Sequence, residues 1–286
     1  MHESNENNKG NANNKNSGSG ENDTNATDLP PLVPPLQQNA VNETGAAVFD
    51  SFVAILSEER YAHFRAVGPD KQQRILRAAL EEFATHDYAT TSTNAIVEQA
   101  RISKGLLFYY FGDKAGLYRC LFSHVIVLLV KEALAWQLVS EGDVFEIMKQ
   151  MVRAKLETTA RYMTEADFML RAMRDTLPPE LDDLVKRSIS QAFSWQSVII
   201  NTLDGELLRP GIDHDQATQV IQWVCEGLAN EYLAVAPSKV DLAYWEKATK
   251  RVDSYLDLLR DLFYQKPQTS KAAGTLQKRG ERHERT

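Results

Sequence analysis

A chain of 286 residues that is 43% hydrophobic and 25% charged has a globular composition, with room for one large domain or two modest ones. Its net charge of −7 argues against a uniformly basic nucleic-acid binder, and no apolar run approaches the roughly 20 residues that span a membrane. Neither the scattered histidines nor Cys120 and Cys225 make an HxxxH or CxxC zinc spacing, and there is no glycine-rich phosphate loop, so no common enzyme signature is present.

Residues 1–45 are rich in Asn, Gly, Ser and Pro, a composition that buries too little apolar surface to order itself, and they read as a disordered tail. They contain no apolar core of a secretory signal. With two cysteines placed inside apolar helical patterns as reduced, buried thiols, this points to a cytoplasmic protein. From Ala46 onward the periodicity is helical almost throughout. A first helix, "AAVFDSFVAILSEERYAHF", fills 46–68 as an addition ahead of the next unit. "GPDKQQRILRAALEEFATH" opens on a Gly-Pro-Asp entry signal and repeats Ile75, Leu76, Ala79, Leu80 and Phe83. Short helices follow at about 92–100 and 104–111, then a long one from Asp113 to about Val139. Further helices are expected from 143 to 163, from 166 to 175, from Pro179 to Leu203, and at 213–234 and 239–264. A basic tail, 265–286, reads as disordered. No strand pattern occurs, so the class is all-α with about ten helices.

The segment 88–118, "YATTSTNAIVEQARISKGLLFYYFGDKAGLY", places two short helices around a turn of three or four residues, which is helix-turn-helix spacing. Thr91 or Ser92 can cap the first helix and Ser103 the second. Ile96, Ala100 and Ile102 point into the angle between them, and Leu107 and Phe111, four apart, face the core. This leaves Lys104, Gly105, Phe108 and Tyr109 outward, with Tyr110 at the edge and Lys114 beside it. Tyrosine hydroxyls and a lysine suit phosphates, Lys104 can reach guanine O6 or N7, Phe108 can touch thymine methyls, and Gly105 permits close backbone approach. Residues 68–114 hold six basic and six acidic side chains, so the segment is locally neutral and charge alone does not reveal it.

At these residues the chain resembles the DNA-binding domain of the TetR/AcrR family. Phe83-Ala84, Thr91-Ser92, Ile96-Val97, Ser103-Lys104-Gly105, Leu107, Tyr110-Phe111 and Lys114 fill the places of that family's pattern between about Asp70 and Tyr118. The resemblance implies a helix-turn-helix domain over 69–115 that binds double-stranded DNA through Ser92, Thr93, Asn94, Ser103, Lys104, Gly105, Leu106, Phe108, Tyr109, Tyr110 and Lys114. It also implies a helical effector-binding and dimerisation domain over 116–264. Two positions depart from the pattern. Arg101 stands where the inter-helix Gly is usual, so either it takes a positive φ or the turn differs. Leu106 replaces the usual Thr and offers an apolar contact in place of a hydroxyl.

Broad apolar stripes on the last two helices suit a four-helix interface between two copies of the chain. The Met- and aromatic-rich middle suggests a cavity for an apolar or aromatic effector, with Met148, Met151, Phe168, Trp195 and Trp223 as candidate lining. The long helix from Asp113 reads as the one element able to touch both that cavity and the DNA-binding unit. His124 reads as a core histidine, and the pairs Glu81-Glu82 and Asp182-Asp183 as solvated faces. The combined reading is a non-enzymatic, cofactor-free, homodimeric regulator, most simply a repressor. Its alternatives are a helical protein-interaction module without DNA binding, or an all-α enzyme with a cryptic site.

Overall fold

The computed structural model describes residues 43–136, 143–236 and 241–265, except for the side chains at 43, 44, 192–195 and 198. Among them, eleven α-helices follow one another: α1 Glu43–Ser57, α2 Ala62–Arg65, α3 Pro69–Thr85, α4 Thr93–Ala100, α5 Lys104–Phe111, α6 Lys114–Leu134, α7 Val144–Arg161, α8 Met163–Ala172, α9 Pro179–Ile200, α10 His214–Val235 and α11 Leu242–Phe263. Among the described residues an isolated bridge also pairs Leu208 with Tyr264. The chain is all-α, as its periodicity indicates. The tails expected over 1–45 and 265–286 lie outside the described residues, apart from Glu43–Gly45, which begin α1, and Gln265.

The N-terminal helix is shorter than its pattern. It stops at Ser57 because Glu58 (φ −53°, ψ 145°) leaves the helix, and a 3₁₀ turn over Glu59–Tyr61 leads into α2. The freed carbonyls at the end of α1 do not go unpaired. Arg65 donates to Leu56 O at 2.8 Å and to Glu58 O at 2.7 Å. A straight helix could not bury Tyr61 and Phe64 beneath α5; the bend does, and both are fully buried.

Two apolar cores result. The first joins Phe49, Phe52 and Leu56 of α1 to α3, α5 and α6, and continues to Phe168 of α8 and Leu181 and Leu184 of α9. Each buried phenylalanine contributes about 1.5–3 kcal/mol. The second collects Val144, Phe145 and Met148 of α7 with Ile221 of α10 and Leu256 and Leu259 of α11. The first core therefore runs straight across residue 115, where the sequence suggests a division between units. The reason is α6, which is buried on nearly every side from Gly116 to Val130 and has no solvent face at which a boundary could fall.

Cys120 is buried in α6 and Cys225 half-buried in α10, and both are free thiols. Burial pushes the Cys120 thiol up strongly and that of Cys225 to about 11, so neither is prepared as a nucleophile. No described helix is long and apolar enough to cross a membrane, and no three His, Cys, Asp or Glu side chains among the described residues are grouped to hold a metal ion.

Candidate nucleic-acid interface

α4, the turn and α5 are set by side-chain caps at short range. Ser92 accepts from Ala95 N at 3.3 Å to cap α4, and its own N–H donates to Glu82 Oε1 at 2.9 Å. Thr91, the other cap candidate, is buried and turns its hydroxyl to Asp87 O at 2.8 Å. Ser103 caps α5 by accepting from Leu106 N at 3.2 Å. Between the helices Arg101 sits at φ 54°, ψ 50°, so the turn is of the usual left-handed kind with a side chain where glycine is cheapest. Ile102 N–H closes the end of α4 on Val97 O at 3.0 Å.

The two faces of α5 differ sharply. Leu107 and Phe111 are buried in the first core with Ile96 and Ala100. Ser103, Lys104 and Gly105 are exposed, as is Tyr109 at 57%. Nothing lies within 4 Å of the place a Gly105 Cβ would take, so the backbone there is open to a partner. Lys104 Nζ lies 6.0 Å from the centre of the Phe108 ring, which is half-buried. On α4 Asn94 is exposed on the same segment, and Thr93 is half-buried.

This geometry coincides with a family match. The family model described as "Bacterial regulatory proteins, tetR family" covers residues 75–121, from within α3 to the first turns of α6. Over these residues the chain is similar to the TetR family. It is 27% identical over 114 residues to the HTH-type transcriptional regulator RutR of Escherichia coli, across 40% of this chain and 53% of RutR. The chain thus spans about half the length of the curated relatives it matches. A TetR family transcriptional regulator from Chloroflexus aurantiacus superposes with a TM-score of 0.50 at 22% identity, over 71% of this chain and 98% of that one. A TetR-family protein from Rhodococcus sp. gives 0.51 at 16% identity, over 67% and 99%. These two likenesses concern the fold.

Within the TetR-type domain three expected contacts are placed differently. Tyr110 is not at an edge: it is 6% exposed, its ring 5.8 Å from Phe64 and 6.2 Å from Phe111, with Lys71 Nζ 5.6 Å from its centre. The bend that brings Phe64 under α5 covers it. Leu106 is half-buried and packs on the first core, so its apolar contact is inward. Lys114 donates to Thr91 O at 2.7 Å and Ala89 O at 3.3 Å, and its ammonium lies 4.9 Å from the Tyr88 ring centre. Partial burial holds its pKa below the usual lysine value. Its charge binds the turn that launches α4.

Other residues matter here that the sequence reading passes over. A Cβ on Gly116 would stand 2.0 Å from Phe111 O, so only glycine lets α6 start this close to the end of α5. Asp113 caps α6 on Gly116 N at 2.7 Å, and buried Tyr61 donates to Gly116 O at 3.1 Å. The two glycines of "FGDKAG" are the available signal, but nothing in the string says which one is pressed. α8 also docks on the domain: Arg171 Nε donates to Ala84 O at 3.1 Å, and Tyr88 N donates to Asp175 Oδ2 at 2.8 Å. Burial lifts the Asp175 carboxyl above its ordinary range. α6 is therefore not the one link between the TetR-type domain and the rest; α1 and α8 are links as well.

The candidate effector lining is not brought together. Phe168 lies in the first core, where its ring packs 5.3 Å from Tyr118, while Met148 lies in the second. Met151 is half-buried, Trp223 is 63% exposed, and the Trp195 side chain lies outside the described residues. Phe168 and Met148 fill cores because α8 packs on α3 and α7 packs on α11. A cavity of about 280 Å³ does occur between the Arg60 turn and the first turns of α6 and α9. Its lining is charged, with Arg60, Arg119, Arg187, Asp113, Glu180 and Asp183 beside Leu181 and Leu184. Arg119 there is paired with Glu58 at 2.6 Å.

Proposed function

We propose that the chain is a DNA-binding transcriptional regulator that acts as a homodimer: a cytoplasmic repressor, not an enzyme, that holds a pseudo-palindromic operator and releases it when a small molecule binds. The observation that carries the DNA reading is the two-sidedness of α5. One face is sealed into the core, while the other offers Ser103, Lys104, Gly105 and Tyr109 to solvent. Lys104 suits a guanine edge, and the Ser103, Thr93 and Tyr109 hydroxyls suit phosphates, with Asn94 within reach of either. The family match over residues 75–121 supports the same assignment.

Dimerisation through α10 and α11 is supported by their surface. In the single chain Trp223 is 63% exposed, Leu258 52% and Leu262 51%, a large apolar display for two helices that also pack on the second core. Two copies related by a two-fold axis would present their α5 helices to half-sites about one helical turn (~34 Å) or somewhat more apart.

For the effector, the Met- and aromatic-rich composition favours an apolar compound, whereas the described cavity favours a charged one, because three guanidinium groups and three carboxylates line it. The second reading rests on geometry and is preferred. Selecting duplexes from a random library with the purified protein, then footprinting them, tests the DNA reading. Protection of two half-sites supports it; no enrichment, or full-affinity binding of a monomer to one half-site, refutes it. Repeating the titration with charged and apolar small molecules tests release, since an effector that weakens operator binding must itself bind more weakly when operator is present.

A further inference from the structure

The outward face of α5 has a neighbour outside the matched family segment. α2 is only four residues long, but Phe64 anchors it: the ring is fully buried, 4.6 Å from Phe111 and 5.8 Å from Tyr110. With Phe64 fixed inward, His63 is left exposed beside Tyr109. The two rings stack with centres 4.4 Å apart and planes at 26°, and His63 Nδ1 lies 3.0 Å from the Tyr109 hydroxyl. A stacked, hydrogen-bonded pair on the surface fills no core. Its effect is to hold one outward tyrosine of α5 still.

We propose that His63 is a positioning residue for DNA binding, which fixes the Tyr109 ring and leaves its O–H directed to a backbone phosphate. This rests on the reading of α5 as the helix that meets DNA. A phosphate oxygen only accepts hydrogen bonds, so the Tyr109 hydroxyl must keep its one proton for it. That is met when His63 Nδ1 carries a hydrogen and donates to the Tyr109 oxygen. With Nδ1 bare, Tyr109 donates to the histidine and has nothing left for DNA. Docking on DNA therefore selects the form with hydrogen on Nδ1. The stack adds a second gain: a lone surface tyrosine loses rotamer freedom on docking, while this one is ordered beforehand. The chain ahead of the matched segment thus shapes the DNA-binding surface, at a residue 46 positions from the one it orients.

The test titrates one duplex, selected from a random library by the wild-type protein, with wild type, His63→Ala, His63→Phe, Tyr109→Phe, Lys104→Ala and the double variant His63→Ala/Tyr109→Phe. His63→Ala is expected to weaken binding about two- to tenfold, the range of one lost hydrogen bond and one freed side chain. Its melting temperature should be unchanged, because the ring is exposed. His63→Phe, which keeps a stacking ring and loses the hydrogen bond, should fall between. The double variant should bind no more weakly than Tyr109→Phe alone, since both changes remove one shared contact. Losses in the double variant that multiply, with a reduced salt slope in His63→Ala, overturn the proposal, for His63 would then touch phosphate itself. Normal binding by His63→Ala alongside weakened Lys104→Ala and Tyr109→Phe overturns it while leaving the reading of α5 intact. Normal binding by all three overturns both.

Discussion

The α4–α5 segment and the α10–α11 pair are both amphipathic helical hairpins, but they close in opposite ways. In the first, each helix is eight residues long, each carries its own serine cap, and its apolar side chains find partners inside the chain. In the second, each helix is 22 residues long with an aspartate cap, and Trp223, Leu258 and Leu262 remain exposed. A short helix has few faces, so its core side and its working side separate cleanly. A long helix with a broad apolar stripe satisfies one core and still has surface to offer a second chain. The lesson concerns length: the α4–α5 segment is specified by its neighbours in sequence, whereas the α10–α11 pair keeps apolar side chains exposed, the surface proposed above for a second copy.

The largest expected effect sharpens this contrast by attacking the support beneath α5. Phe64→Ala should destabilise the chain by about 3–5 kcal/mol, because it empties a fully buried ring site shared with Tyr110 and Phe111. Thermal melting measures it; a loss under about 1 kcal/mol would show that α2 is an ornament on α5 and not its base.

Lys114→Ala comes next. Two charge-assisted hydrogen bonds to Thr91 O and Ala89 O disappear, at a cost of about 1.5–3 kcal/mol. The salt dependence of DNA binding should stay as in wild type. An unchanged melting temperature with a salt slope reduced by about 1 would instead return Lys114 to the phosphates.

Trp223→Glu probes the other hairpin. The side chain is already 63% exposed, so the stability of the single chain should move by no more than about 0.5 kcal/mol, while sedimentation should show the dimer dissociating. A variant that stays dimeric moves the interface elsewhere.

The smallest effect belongs to the turn. Arg101→Gly should raise stability slightly, by less than about 1 kcal/mol, because relief of the left-handed strain at φ 54° outweighs the added freedom of the unfolded chain. A clear fall in melting temperature would mean that the arginine side chain contributes contacts that offset its strain.

What was readable in the string follows the range of the interaction involved. The Ser92 and Ser103 caps and the inward pair Leu107 and Phe111 depend on residues within about four positions of one another, and each stands where the pattern allows it. Of the outward set Lys104, Gly105, Phe108 and Tyr109, obtained by subtraction, Lys104, Gly105 and Tyr109 are exposed and Phe108 is half-buried. Tertiary packing alone decided the rest. The break at Glu58, the burial of Tyr110, the diversion of Lys114 to carbonyls 23 and 25 residues away, and the pressure on Gly116 all come from segments that meet only in the folded chain. So does the separation of Phe168 from Met148 into different cores, since a local apolar pattern shows that a face will be buried but not against which partner. Periodicity and capping are local couplings that the sequence can state by itself; the choice of partner for a buried face is a contest among distant segments, and the fold alone resolves it.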